Sequence, residues 1–282
     1  MKTGERPAVR DTARAIGVFD SGVGGLTVLK ALRAALPAED FLYLGDTARL
    51  PYGTKSPESV VRYSVQAADA LLERGIKCLV VACNTASACA LHALRDRLET
   101  MPVIGVVEPG AEAACVVSRA GRIAVIATEG TVQGGAYQEA IRRLRPDAEV
   151  TARACPLFVA LAEEGWTEGE IVESIIRRYL EPIFAAPPAQ HPDVLVLGCT
   201  HFPVLADSIR RVLCPQVTLV DSAATTARAV ARELDASRLR QTLARTGKVA
   251  LLATDGAARF ARVGGRFFGE AVEPQDVEIV DL

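Results

Sequence analysis

Short continuous apolar runs alternate along this chain with longer amphipathic segments. The runs are "AIGVFD" (15–20), "FLYLGD" (41–46), "CLVVAC" (78–83), "VIGVVE" (103–108), "RIAVIAT" (122–128), "AEVTARA" (148–154), "VLVLGC" (194–199), "VTLVD" (217–221) and "VALLATD" (249–255). Between them lie stretches long enough for helices, including 57–74, 85–99, 131–145, 168–182 and 222–235. Strands that are apolar throughout, rather than at every second residue, fit sheets covered on both faces, and strand–helix alternation makes such sheets parallel. The expected class is α/β. Ligands of such sheets bind just beyond the carboxyl ends of the strands.

The pattern repeats. Setting Cys83 on Cys199 lays "CLVVACNTASA" over "VLVLGCTHFPV", and a weaker match lays "IGVFDSGVGGLTVLKAL" over "IAVIATEGTVQGGAYQEAI". Both pairs read strand, polar turn, helix. Two similar α/β domains are therefore expected, with parallel-type sheets and a site in the cleft between them. Because "LVDSA" (219–223) echoes "FDSG" (19–22), the C-terminal segment is expected to return to the first unit. That gives a discontinuous first domain of 1–107 plus 218–282, with 1–15 as a flexible extension, and a second domain of 108–217.

Half of the 282 residues are apolar and the net charge is −2, enough for large cores and without the positive field of a nucleic-acid binder. No run of about 20 apolar residues would span a membrane, and "MKTGERPAVRDTARA" lacks the apolar stretch of a signal peptide. A cytoplasmic protein is expected. Its seven cysteines (Cys78, Cys83, Cys89, Cys115, Cys155, Cys199, Cys214) are odd in number and irregularly spaced, which suits reduced thiols. None of the three histidines (His92, His191, His201) pairs with a cysteine at zinc spacing, so no metal is expected.

The strand-end turns concentrate the polar chemistry: Asp20-Ser21-Gly22, Gly45-Asp46-Thr47, Pro51-Tyr52-Gly53, Cys83-Asn84-Thr85, Thr128 and Thr131, and Cys199-Thr200-His201. Free backbone N–H groups at helix starts, with hydroxyls and amides, suit a small anion such as a carboxylate. Gly22-x-Gly24 matches only half of a dinucleotide fingerprint, because position 27 is threonine. Five cysteines read as small apolar filling. Cys83 and Cys199 differ, since each ends a strand where a helix dipole would favour thiolate. A pair of such thiols suits a redox couple, a single nucleophile beside a base, or proton transfer at carbon from two faces.

Taken together and in order, "FDSGVGGLTV", "GDTARLPYG", "ACNTASA", "GVVEPGA" and "GCTHFPVL" resemble the glutamate racemases of the cofactor-independent aspartate/glutamate racemase superfamily, from about Ile16 to the end of the chain. The resemblance implies interconversion of L- and D-glutamate without a cofactor, with the product entering peptidoglycan precursors. It implies acid/base roles for Cys83 and Cys199. Asp20 would assist the first, and His201, backed by Glu163, the second. Asp20, Ser21, Tyr52, Gly53, Asn84, Thr85, Thr200 and His201 would contact the amino acid. A homo-oligomer, a dimer, is the expected assembly. A racemase for aspartate or another acidic amino acid, and a binding protein that has lost catalysis, are the competing readings.

Overall fold

The computed structural model describes residues 12–282, so most of the 1–15 extension lies outside the described residues. Two parallel sheets organise the chain. The first half contributes β1 (Ile16–Asp20), α1 (Leu26–Ala35), β2 (Phe41–Gly45), α2 (Pro57–Glu73), β3 (Cys78–Val81), α3 (Asn84–Arg97) and β4 (Val103–Gly105). The second contributes α4 (Val107–Val117), β5 (Arg122–Ala127), α5 (Glu129–Gln133), α6 (Ala136–Leu144), β6 (Glu149–Ala154), α7 (Leu157–Glu164), α8 (Glu170–Leu180), β7 (Val194–Gly198), α9 (Ala206–Val212) and β8 (Thr218–Asp221). The chain then runs through α10 (Ser222–Ala236), β9 (Val249–Ala253), α11 (Ala257–Phe268) and β10 (Val277–Ile279).

Strand order is β10-β9-β2-β1-β3-β4 in one sheet and β6-β5-β7-β8 in the other. Deleting β9 and β10 leaves β2-β1-β3-β4, which is the second sheet's order with each strand replaced by its counterpart. The repeat read from sequence thus has a topological basis: β1 corresponds to β5, and β3 to β7. Both sheets are covered on both faces. Ile16, Val18 and Val80 pack under α1, α10 and α11, whereas Phe19, Leu79 and Val81 pack under α2 and α3. In the second sheet Leu195 and Leu197 share a core with α7, α8 and α9, and Val194 and Val196 share one with α4 and α6. This two-faced burial is why the inner strands carry no alternation, whereas the edge strand β6 alternates polar and apolar residues and is only partly covered.

Several boundaries differ from expectation. The run 103–108 is strand only to Gly105, and Val107 already begins α4. The helix expected over 131–145 is broken at Gly134-Gly135, where Gly135 takes φ +68°. The domain boundary at 217/218 needs correction. Thr218–Asp221 pairs with Val194–Leu197 in the second sheet, so β8 belongs there. The return to the first half starts at α10, whose first turn is capped by Asp221 Oδ1 accepting from Ala223 N–H at 2.7 Å. From there α10 packs on α1, and β9 and β10 extend the sheet beyond β2.

The halves meet along the carboxyl ends of β1, β3, β5 and β7. Thr27 Oγ1 donates to the Thr200 carbonyl at 3.0 Å across this seam. Gly24 approaches so closely that a Cβ there would lie 2.4 Å from His201 Nδ1 and 2.5 Å from Thr200 Oγ1. At Gly45 a Cβ would lie 2.2 Å from the Gly22 carbonyl, which fixes the turn after β1 against β2. Gly24→Ala must push the His201 turn away or unsettle its own loop, and overpacking of this kind costs about 1–3 kcal/mol. Urea unfolding should show that loss in Gly24→Ala, and an unchanged midpoint would show that the seam has slack.

Candidate active site

The two cysteines singled out by the sequence end up in matching places. Cys83 follows β3 and is the N-cap of α3, where its Sγ accepts from Ala86 N–H at 3.4 Å and its thiol donates to Ser21 Oγ at 3.4 Å. Cys199 follows β7, the counterpart of β3. Both are buried, at 5 % exposure. The segments that the two cysteines lead into are unlike. Beyond Cys199 comes a 3₁₀ turn, Phe202–Leu205, and only then α9. The helix start expected directly after Cys199 is therefore not met there.

The expected depression of the Cys83 thiol is not met either. Burial and the Asp20 carboxylate push Cys83 up to about 12, against weaker help from Ser21 and the Ala86 N–H and with a further upward push from Cys199. A buried thiol beside a carboxylate is a proton holder, because desolvation and like charge both oppose thiolate, and one capping N–H does not offset them.

Asp20 ends β1 and is fully buried. Its Oδ2 accepts from Gly22 N–H at 2.9 Å, while Oδ1 is buried without a protein partner. Burial raises its pKa, and the positive charge of His201 and the N–H groups of Gly22, Gly25 and Ser21 partly offset that. Asn84 presents the complementary case. Tyr137 OH donates to its Oδ1 at 2.7 Å, and its Nδ2 is buried without a protein partner. One orphaned acceptor and one orphaned donor in adjoining turns suit a ligand bearing both an ammonium and a carboxylate.

On the other face, His201 Nδ1 lies 3.8 Å from Cys199 Sγ and Nε2 lies 3.2 Å from Glu163 Oε1. Burial alone disfavours the imidazolium. Hydrogen bonds to Cys199 and Glu163 and the charges of Cys199 and Asp20 outweigh it and raise His201 to about 10. The hydrogen bond to His201 holds the Glu163 carboxyl below the usual range against its burial, helped by the charges of His201 and Arg259. The neighbouring Glu164 is exposed, so the structure brings Glu163 and not Glu164 to the histidine.

Thr85 Oγ1, Thr128 Oγ1 and Thr131 Oγ1 form a triangle with edges of 3.0, 3.1 and 3.0 Å, joining the first half to the second. Each hydroxyl can turn outward to donate to an anion. Gly53 approaches Thr128 closely, since a Cβ there would lie 2.7 Å from the threonine Cβ. Tyr52 is buried, but its hydroxyl is committed to Asp46 Oδ2 at 2.5 Å, which also takes Arg49 Nε at 2.6 Å. That hydroxyl is therefore not free to bind a ligand. Three participants escape the sequence reading: Tyr137, Arg259, which donates to Glu163 Oε2 at 2.6 Å, and Phe267, whose ring meets His201 edge-on at 5.0 Å. Nothing local marks them, because they are brought in by the fold.

A thiol pair set at equivalent strand ends, one beside a carboxylate and the other beside a histidine–carboxylate dyad, is equipped to move protons at a small zwitterion. Comparison with known proteins leads to the same chemistry. The family model for Asp/Glu/Hydantoin racemase matches residues 16–230. A glutamate racemase from Geobacter metallireducens is 54 % identical over 256 residues, 91 % of this chain and 93 % of the relative. The crystal structure of a glutamate racemase isoform from Bacillus anthracis superposes with a TM-score of 0.90 at 36 % identity, covering 96 % of this chain and 98 % of that one. The glutamate racemase from Thermus thermophilus, in complex with β-chloro-D-alanine, gives 0.86 at 46 % identity with the same coverage. With its two repeated sheets, its paired strand-end thiols and these relatives, the chain belongs to the Asp/Glu/Hydantoin racemase family.

Proposed function

We propose that this protein is a glutamate racemase that interconverts L- and D-glutamate and so supplies D-glutamate for peptidoglycan precursors. The observation that carries the reading is the placement of Cys83 and Cys199 on corresponding strand ends of two repeated sheets, with a different acid/base partner behind each. The relatives at 54 % and 44 % identity that bear the name glutamate racemase, and the Francisella tularensis glutamate racemase solved with D-glutamate, support glutamate as the substrate. A cytoplasmic homodimer belongs to the same reading.

In this mechanism one sulfur, as thiolate, takes the α-proton from its face of the substrate. The other, as thiol, delivers a proton to the opposite face, leaving the configuration inverted and the charges exchanged between the two sulfurs. Asp20 Oδ1 receives the ammonium and Asn84 Nδ2 donates to the α-carboxylate, which relieves the two orphaned atoms. The Thr85–Thr128–Thr131 triangle receives the side-chain carboxylate. Ser21 and Thr200 line the two thiol turns, Tyr52 and Gly53 close the wall beside Thr128, and His201 with Glu163 governs proton exchange at Cys199.

Purified protein with L-glutamate and no added cofactor should lose circular dichroism to zero, and a panel of other L-amino acids should not. In heavy water the first-turnover product should carry deuterium at Cα while recovered substrate keeps protium. Cys83→Ala and Cys199→Ala should each abolish turnover. Efficient return of the substrate's own hydrogen to product, or wild-type turnover in either variant, would rule out the two-thiol route.

The pH profile carries a sign. The active free enzyme holds one proton between the two sulfurs, so kcat/KM is bell-shaped, and its alkaline limb marks loss of that last proton. Burial raises Cys83 to about 12, and the Asp20 carboxylate is the next cause of the rise. Removing the carboxylate charge favours thiolate. Asp20→Asn should therefore move the alkaline limb toward neutral pH while lowering the maximum rate. A limb that moves upward, or stays in place, would remove Asp20 from control of that thiol.

A further inference from the structure

The histidine–carboxylate dyad beside Cys199 is not closed by its own half of the molecule. Glu163, at the end of α7, divides its carboxylate between two partners: Oε1 faces His201 Nε2 at 3.2 Å and Oε2 accepts from Arg259 Nη2 at 2.6 Å. Arg259 comes from α11, which packs with the first half. The same helix sends Arg266 Nη1 to the Glu163 carbonyl at 2.9 Å and the ring of Phe267 to the edge of His201. Residues 259, 263, 266 and 267 fall on one stripe of α11, with Val263 buried in the first-half core. That helix therefore holds the dyad from across the seam.

The charged groups around the dyad are few. His201 faces Cys199 on its own turn, Glu163 from α7 and Asp20 from the end of β1. Glu163 faces His201 and Arg259, with Arg266 at its backbone. Without Arg259 the carboxylate keeps one strong partner and is free to rotate about its terminal bond. With it, both oxygens are assigned, and Oε1 is directed at the imidazole. The imidazole in turn has Phe267 on one side and Gly24 against Nδ1, so its remaining freedom is the swing that Glu163 restrains.

We propose that Arg259 is a positioning residue for the Cys199 half of the reaction, fixing Glu163 and through it the orientation of His201 toward the thiol. It touches neither sulfur nor the substrate, and it acts only through the carboxylate. The proposal rests on the racemase reading and adds to it a residue that acts from the opposite half of the chain.

The two enantiomers have equal free energy in solution, so kcat/KM must stay equal in the two directions in every variant. The side on which a residue acts is instead revealed by isotope effects. Arg259→Gln should lower kcat/KM by about fivefold to tenfold, the loss of a charge-assisted hydrogen bond that is partly exposed to solvent. With α-deuterated D- and L-glutamate, slowing the Cys199 step should raise the substrate isotope effect on kcat/KM for the enantiomer whose proton Cys199 removes, and lower it for the other. The loss should vanish in the Glu163→Gln background, since Arg259 works only through that carboxylate. Arg259→Lys should recover part of the rate, and it keeps the test available if the glutamine variant fails to fold. Unchanged kcat/KM, isotope effects that fail to move in opposite directions, or a loss that adds fully to that of Glu163→Gln would overturn the assignment while leaving an active racemase. An inactive wild-type protein would overturn the racemase reading and this assignment with it.

Discussion

The contact of Gly24 with His201 and Thr200 sets how near the turn after β1, which carries Asp20 and Ser21, can come to the Cys199 turn. A side chain at position 24 would occupy the space of the imidazole, so only a bare backbone lets the turn after β1 reach the turn after β7. Once this approach is made, Thr27 reaches the Thr200 carbonyl, Thr85 joins Thr128 and Thr131, and α11 reaches Glu163. Each of these bonds links one half to the other. The cleft is therefore a consequence of how the halves meet, and its polar groups are also the fasteners that hold it.

The two sulfurs occupy matching positions but unlike surroundings. Cys83 sits with a buried carboxylate and few donors, so its neutral form is favoured. Cys199 sits within reach of a histidine whose pKa is raised to about 10, against burial, by its hydrogen bonds to Cys199 and Glu163 and by nearby negative charge. An internal repeat supplied two similar strand-end turns, and the difference comes from what the rest of the chain adds to each: Asp20 from β1 on one side, and α7 with α11 on the other. A chemically symmetrical reaction is thus run by an asymmetrical pair.

Much of this architecture is legible in the amino-acid sequence. Short, mostly apolar runs locate nine of the ten strands among the described residues, and the alignment of Cys83 on Cys199 anticipates that β3 and β7 hold equivalent places in their sheets. The short strand β10 escapes the pattern, because Val277–Ile279 is three residues long and mostly exposed. The last strand of the second sheet reads as part of the wrong half because "LVDSA" resembles the β1 turn, while pairing with β7 is a long-range fact that no local pattern carries. Electrostatics are the least legible. A cysteine at a helix start suggests a lowered pKa, yet burial and Asp20, which lies 63 positions earlier in the chain, reverse it. Tyr137 and Arg259 are likewise remote in sequence from Asn84 and Glu163, which they hold.

Two-thiol racemisation requires the substrate carbon to lie between two opposed sulfurs. A crystal structure of the protein with glutamate should show Cα between Cys83 Sγ and Cys199 Sγ, on opposite faces, each within about 3–3.5 Å as a near-attack geometry requires, with the ammonium at Asp20 Oδ1 and the α-carboxylate at Asn84 Nδ2. Both sulfurs on one face of Cα, or either one too far away for proton transfer in the closed complex, would contradict it.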